Sequence, residues 1–276
     1  MIRSVFAERK VEGRPVLIPY VTAGHPTRES TVPVLEAVAG AGADVLELGI
    51  PFSDPLADGP TIQRSSFVAL ENGTTVERVL EDLAVFRARC ATPVVLFTYL
   101  NPILRYGFER FLSDAAEAGA QGLLLTDLPA GSDTDLESAV TASPLDFVRL
   151  AAPTTPLKRI HEIAQHGSGF LYYISRTGVT GVRSEVRSGL EAEVRKIRDT
   201  VELPVAVGFG ISTPEQAAQV GSVADGVVVG SALVCTIEEE GIDAGAAFVA
   251  SLRAALGEQP VVVIEWTAFQ CRGPGS

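Results

Sequence analysis

Asp44-Val45-Leu46-Glu47-Leu48-Gly49 runs directly into Ile50-Pro51-Phe52-Ser53-Asp54-Pro55-Leu56-Ala57-Asp58-Gly59-Pro60-Thr61, and the junction between them decides the fold. The first run is short, apolar and alternating, the pattern of a strand. The second is broken by three prolines, and a helical pattern starts near Thr61. The same strand-then-helix order recurs on both sides. Short β-rich runs fall at 16–22, 44–49, 94–99, 122–126, 146–150, 170–175, 205–207 and 226–229. Between them lie helical patterns, among them 31–41, 75–90, 107–118, 156–165 and 214–220, with Gly42, Gly119, Gly167 and Gly221 reading as helix-ending glycines. Strict alternation with short connections requires parallel strands, and eight units in one chain predict an α/β fold, a single-domain (β/α)8 TIM barrel. An open doubly wound sheet is the alternative. Its glycine-rich first turn is missing, because Tyr20-Val21-Thr22-Ala23-Gly24-His25-Pro26 carries one glycine.

Composition agrees with one large globular unit. The chain has 276 residues, 46% of them hydrophobic and 20% charged, with a mean hydropathy of +0.25. Its 22 basic and 34 acidic residues give a net charge of −12, the wrong sign for phosphate backbones or anionic lipid, so neither nucleic acid nor a membrane is an expected partner. No apolar run is of membrane-spanning length and residues 1–10 alternate charged with apolar groups, so the expected compartment is the cytoplasm. Cys90, Cys235 and Cys271 are odd in number and far apart, which predicts reduced thiols. Residues 1–257 are expected to form the barrel, with a short helix at 2–10 across its bottom. Residues 258–276 form a tail to which no role is assigned.

Barrels draw their chemistry from the C-terminal ends of strands. In 44–49 the period of two places Leu46 and Leu48 on one face and Val45, Glu47 and Gly49 on the other. If the leucines meet the helix layer, Glu47 points into the barrel, where burial would raise its pKa and suit it to proton transfer. A structural ion pair is the alternative. Asp54 and Asp58 lie in the proline-rich loop, either as a second acid beside Glu47 or as turn and helix-capping groups. Gly208-Phe209-Gly210-Ile211-Ser212 follows the seventh strand and Gly230-Ser231 the eighth, where barrels build phosphate sites from backbone N–H groups and a helix start. Ser175-Arg176-Thr177-Gly178-Val179-Thr180-Gly181 has the composition of a lid, or of a solvated turn. His161 and His166 read as surface groups, and His25 as a loop residue with no visible partner. No histidine, cysteine or carboxylate spacing suggests a metal.

Taken in order, these segments resemble the α subunit of tryptophan synthase. The resemblance is carried by residues 47–63 and by Pro19-Tyr20-Val21-Thr22-Ala23-Gly24, Tyr99-Leu100-Asn101-Pro102-Ile103-Leu104, Ala152-Pro153-Thr154-Thr155, residues 172–181 and Gly208-Phe209-Gly210-Ile211-Ser212, and it covers about 15–255. It implies a carbon–carbon lyase that splits indole-3-glycerol phosphate into indole and glyceraldehyde 3-phosphate without metal or organic cofactor. By the same carry-over Glu47 moves the protons and Asp58 meets the indole N–H. Tyr172 matches a position near the substrate, Tyr20, Phe97, Tyr99, Leu125 and Leu150 would supply apolar walls for the ring, Thr180 would order the lid, and Gly181, Gly210, Gly230 and Ser231 would hold the phosphate. The family also implies a β-subunit partner in an α2β2 complex, and a free-standing indole-producing lyase or a weakly catalytic binding partner are the alternatives. His25, where the family commonly has Asp, and Pro129-Ala130-Gly131-Ser132, which lacks the usual acids, depart from the pattern at the barrel rim.

Overall fold

A computed structural model describes residues 2–174, 189–208 and 210–257. The order of elements is α1 (Ile2–Val11), β1 (Val16–Thr22), α2 (Thr31–Gly40), β2 (Leu46–Gly49), α3 (Pro60–Glu71), α4 (Val76–Arg87), β3 (Val94–Thr98), α5 (Leu100–Tyr106), α6 (Phe108–Glu117), β4 (Gly122–Leu125), α7 (Thr134–Ala142), β5 (Asp146–Ala151), α8 (Leu157–Gln165), β6 (Leu171–Ile174), α9 (Leu190–Arg198), β7 (Val205–Gly208), α10 (Pro214–Gly221), β8 (Gly226–Val229), α11 (Ser231–Glu240) and α12 (Ile242–Ala255). The eight strands are parallel, and β8 pairs with β1 to close the barrel.

Two concentric cores follow from the period of two. Outward residues such as Leu17, Leu46, Leu48, Leu96 and Leu123 pack against the helices, while Val16, Ile18, Val45, Val95, Leu124, Val148 and Val228 fill the interior. The expected bottom helix is α1: its Ile2 and Phe6 belong to the interior core and plug the barrel from below. Two strand residues make room for them, since a Cβ on Gly122 would lie 2.7 Å from Ile2 Cδ1 and one on Gly226 would lie 3.0 Å from Phe6 Cε1. Beside the plug, Asp44 gathers three guanidiniums: Arg9 at 3.0 Å, Arg14 at 3.1 Å and Arg253 at 2.7 Å. It also accepts the Leu17 N–H at 2.9 Å, so one carboxylate ties α1, the loop before β1, the entry to β2 and α12 together.

The predicted element positions hold, with shifts of one to three residues at their ends. β2 begins at Leu46 instead of residue 44, because Asp44 is committed to the arginines. Of the four glycines taken as helix stops, Gly42 and Gly119 have the left-handed φ that such a stop requires, +102° and +92°. Gly167 and Gly221 do not, and their reason is space: added Cβ atoms would lie 2.8 Å from Arg149 Cγ and 2.4 Å from Leu256 Cδ2. Cys90 and Cys235 are free thiols. Among the described residues no helix is long and apolar enough to cross a membrane, and no group of three metal-ligating side chains occurs. Cys271 and the tail 258–276 lie outside the described residues.

Candidate active site

Glu47 stands on β2 between two leucines of the outer core, and so faces the barrel axis as its spacing predicted. It is 1% exposed and its Oε1 has no hydrogen-bond partner among the described residues. No structural ion pair engages it there. Burial pushes its carboxyl up to about 8, so at neutral pH it is a buried acid that can give a proton and take it back.

Asp58 lies in the loop between β2 and α3, and the capping alternative does not apply to it. The cap position of α3 is Gly59, with Pro60 at the first helical place and no side-chain cap. The Asp58 carboxylate instead accepts the Tyr99 hydroxyl at 3.1 Å, and that hydroxyl accepts the Ala57 N–H at 2.9 Å. Burial raises Asp58 to about 6, and the Tyr99 bond draws it partly back. The two acids thus differ in environment, one dry and unbonded, the other held by a phenol, which keeps one protonated while the other is ionised. Asp54 is exposed, with its carboxylate taking the Ser53 hydroxyl at 2.5 Å.

Aromatic side chains surround the acids. Tyr20 and Phe97 meet edge to face, with centroids 5.3 Å apart, and Phe52 lies 5.1 Å from Tyr99. Tyr172 belongs to the interior core, and Phe97 and Leu150 pack against it. Glycines make room for two of the tyrosines: a Cβ on Gly49 would lie 2.1 Å from the Tyr20 hydroxyl, and one on Gly208 would lie 2.4 Å from the Tyr172 hydroxyl. Leu125 is a correction. It packs in the outer core, and its neighbour Leu124 is the inward residue, a one-position slip that moves a strand side chain to the opposite face.

At the end of β8, Gly230 precedes α11, a ten-residue helix whose first turn has neither a side-chain cap nor an acidic residue. α10 differs, because the Thr213 hydroxyl takes the Gln216 N–H at 3.3 Å. An anion at this end of the barrel is therefore favoured at Ser231, where N–H groups and the helix dipole converge. Gly210 is exposed and left-handed, with φ +84°, as a tight approach before α10 requires. Thr180, Gly181, the lid composition at 175–181 and Phe209 lie outside the described residues.

His25 does have a neighbour. It is buried, with Nε2 3.8 Å from the Glu238 carboxylate of α11, which also pairs with Arg64 of α3. Burial lowers the pKa of its imidazole. His161 and His166 are exposed, as expected. Sequence reading missed the hydroxyl of Tyr99 as the partner of Asp58, having taken that residue as an apolar wall. The two are 41 residues apart and no local pattern links them.

Residues 6–259 match the family model described as tryptophan synthase alpha chain. The tryptophan synthase alpha chain of Geobacter sulfurreducens is 47% identical over 93% of this chain and 98% of its own length. That of Citrifermentans bemidjiense is 51% identical over 85% and 88%. Among solved structures, tryptophan synthase subunit alpha from Legionella pneumophila is 39% identical with a TM-score of 0.84, covering 92% of this chain and 97% of that one. Mycobacterium tuberculosis tryptophan synthase is 35% identical with a TM-score of 0.86, covering 92% and 97%. A closed parallel barrel with a buried inward glutamate, a second acid in a proline-rich loop and a match along nearly the whole chain lead to one assignment: this protein belongs to the tryptophan synthase alpha chain family.

Proposed function

We propose that the chain cleaves indole-3-glycerol phosphate to indole and glyceraldehyde 3-phosphate, with Glu47 and Asp58 as its two acids. The observation that carries this reading is the pair of unlike carboxyls at the barrel mouth, Glu47 dry at about 8 and Asp58 phenol-bound at about 6. Protonated Glu47 delivers its proton to indole C3, and the ring nitrogen becomes cationic. The Asp58 carboxylate stabilises that charge through the indole N–H. Glu47, now ionised, takes the proton from the hydroxyl on the carbon attached to C3. The O–H electrons form the aldehyde carbonyl, the C–C pair returns to the ring, and Glu47 ends protonated as it began. Tyr20, Phe97, Leu150 and Tyr172 flank the flat ring. Gly210, Gly230 and Ser231 receive the phosphate, and Thr180 and Gly181 are assigned to lid and phosphate by resemblance alone.

The protonation states fix the pH dependence. Glu47 must start protonated, so kcat/KM falls as pH rises through about 8. Asp58 must be ionised, so kcat/KM falls as pH drops through about 6. The expected profile is a bell between these limits, read from initial rates of indole release. A flat rate from pH 5 to 9 would contradict both assignments.

At the other end of the substrate, Ser231→Asp places a carboxylate at the uncapped start of α11. KM should rise by about tenfold or more, because a like charge there repels the phosphate, while kcat changes less. An unchanged KM would move the phosphate elsewhere.

A β-subunit partner completes the proposal. It is supported by exposed residues of the loop after β2 and of α5: Ser53, Asp54, Leu56 and Ala57, and Asn101 and Leu104, with Leu56 90% and Leu104 50% exposed. The deciding experiment is a steady-state assay of indole release with and without a tryptophan synthase β subunit, run alongside size exclusion. Co-elution with higher turnover is expected. Full activity alone with no co-elution would instead mean a free-standing lyase.

A further inference from the structure

Arg149 is a charged residue at a buried position of its strand. β5 turns it outward into the helix layer, where its side chain is 3% exposed, and there it meets Glu137 of α7, 7% exposed, at 2.6 Å. A charge pair at such a place is costly to desolvate, and apolar residues of the same volume fill outer-layer sites at least as well. The pair is informative for what else it holds. Beyond its bond to Glu137, the guanidinium donates to the Leu128 carbonyl at 3.0 Å and the His166 carbonyl at 2.9 Å, and its plane lies 3.7 Å over the Phe147 ring. Glu137 takes the Gly131 N–H on its other oxygen at 2.6 Å and has His166 Nδ1 at 3.2 Å. Arg159 of α8 donates to the Ala130 carbonyl between them. The backbone of the rim segment 128–131 is therefore held at three points by side chains from α7, β5 and α8.

That segment continues the residues that reach the second acid. Asp127 accepts the Leu100 N–H at 2.7 Å at the start of α5. The Thr126 hydroxyl and N–H both donate to the Thr98 carbonyl, at 3.3 and 3.0 Å, so the residues on either side of Tyr99 are tied to this segment. Tyr99 in turn holds Asp58 at 3.1 Å.

We propose that the buried pair Glu137–Arg149, outside the barrel wall, is a positioning device for the reaction: it fixes the rim segment 126–131, and that segment holds Tyr99 against Asp58. No hydrophobic pair could do this, because the anchored groups are a carbonyl and an N–H of the loop backbone. Neither residue touches the reacting atoms. The inference rests on Asp58 being the second acid, and the variants below separate the two ideas.

The decisive variant is the paired replacement Arg149→Met with Glu137→Leu, which retains apolar volume and removes both charges together, so that no unpaired ion is left buried. It is compared with Tyr99→Phe, with the combination of all three, and with Asp127→Ala, an exposed change that cuts the link to α5 without entering the outer core. The expected result is a loss of roughly tenfold in kcat with KM changed by less than about twofold in the paired variant, as slight misplacement of a catalytic group produces. Losing the Tyr99 bond also raises the pKa of Asp58, so the acid limb of the pH profile moves to higher pH in the paired variant, Tyr99→Phe and Asp127→Ala alike. The paired replacement adds little on top of Tyr99→Phe, because both act on one contact. A paired variant with wild-type kcat and an unmoved acid limb, beside a Tyr99→Phe that shifts it, overturns the positioning role and leaves Asp58 in place. A Tyr99→Phe enzyme identical to wild type overturns the route itself. If the paired variant does not fold, Asp127→Ala decides, and an unmoved acid limb there overturns the proposal.

Discussion

Glu47→Gln should lose two to four orders of magnitude in kcat while the barrel stays folded, because an amide keeps the shape of the side chain and cannot carry a proton in either direction. Both proton steps pass through this one group, so no second residue makes up the loss. Single-turnover assay of indole release measures it, with substrate binding followed separately. Binding should persist, since the proposed phosphate contacts are on other strands. Turnover within tenfold of wild type would remove Glu47 from the mechanism. The same variant reports on stability. The folded carboxyl sits at about 8 against an ordinary value of 4.5, so the native state binds the extra proton and the wild-type protein loses stability as pH rises from about 4.5 to about 8. Below that window the loss is absent. A glutamine does not titrate, so the fall in melting temperature across these pH values should be smaller in the variant. Equal slopes would mean that Glu47 is not the buried acid its surroundings describe.

Asp58→Asn should lower kcat by about two to three orders of magnitude through a different physical term. Its carboxylate stabilises a positive charge that exists only after C3 is protonated, and replacing an ion by a neutral amide removes that stabilisation where water is largely excluded. Ground-state binding is not expected to suffer in proportion, so the loss falls on kcat. The Tyr99 hydroxyl keeps an acceptor in the asparagine carbonyl, so the loop keeps this tie and the loss reports the missing charge. The acid limb of the pH profile near 6 should vanish along with the activity, while the basic limb near 8, set by Glu47, remains in the residual rate. A persistent acid limb would assign it to another group.

What could be read in the sequence was whatever repeats locally. Eight short apolar runs alternating with amphipathic ones required parallel strands, and their number required closure, because each strand needs helices on its outer face and neighbours on both edges. Glu47 was readable for the same reason: a charge between two leucines has one face to go to in a strand of period two. Gly122-Leu123-Leu124-Leu125 shows where this reading stops. Its three leucines carry no alternation, since a barrel strand is buried on both faces, and only the folded register separates inward Leu124 from outward Leu125. Tertiary structure likewise decided the partners of the charged and hydroxyl groups. Tyr99 meets Asp58 across 41 positions, Arg253 meets Asp44 across 209, and Arg149 reaches α7 through the Glu137 carboxylate and the end of α8 and the rim through backbone carbonyls. Hydrogen bonds and ion pairs are directional contacts between single atoms, and they leave no periodic trace along the chain. The sequence by itself determined the layers and which way the first acid points. The closed barrel alone brought the second acid its phenol and gave that phenol's loop its anchors, because both depend on which strands come to lie side by side.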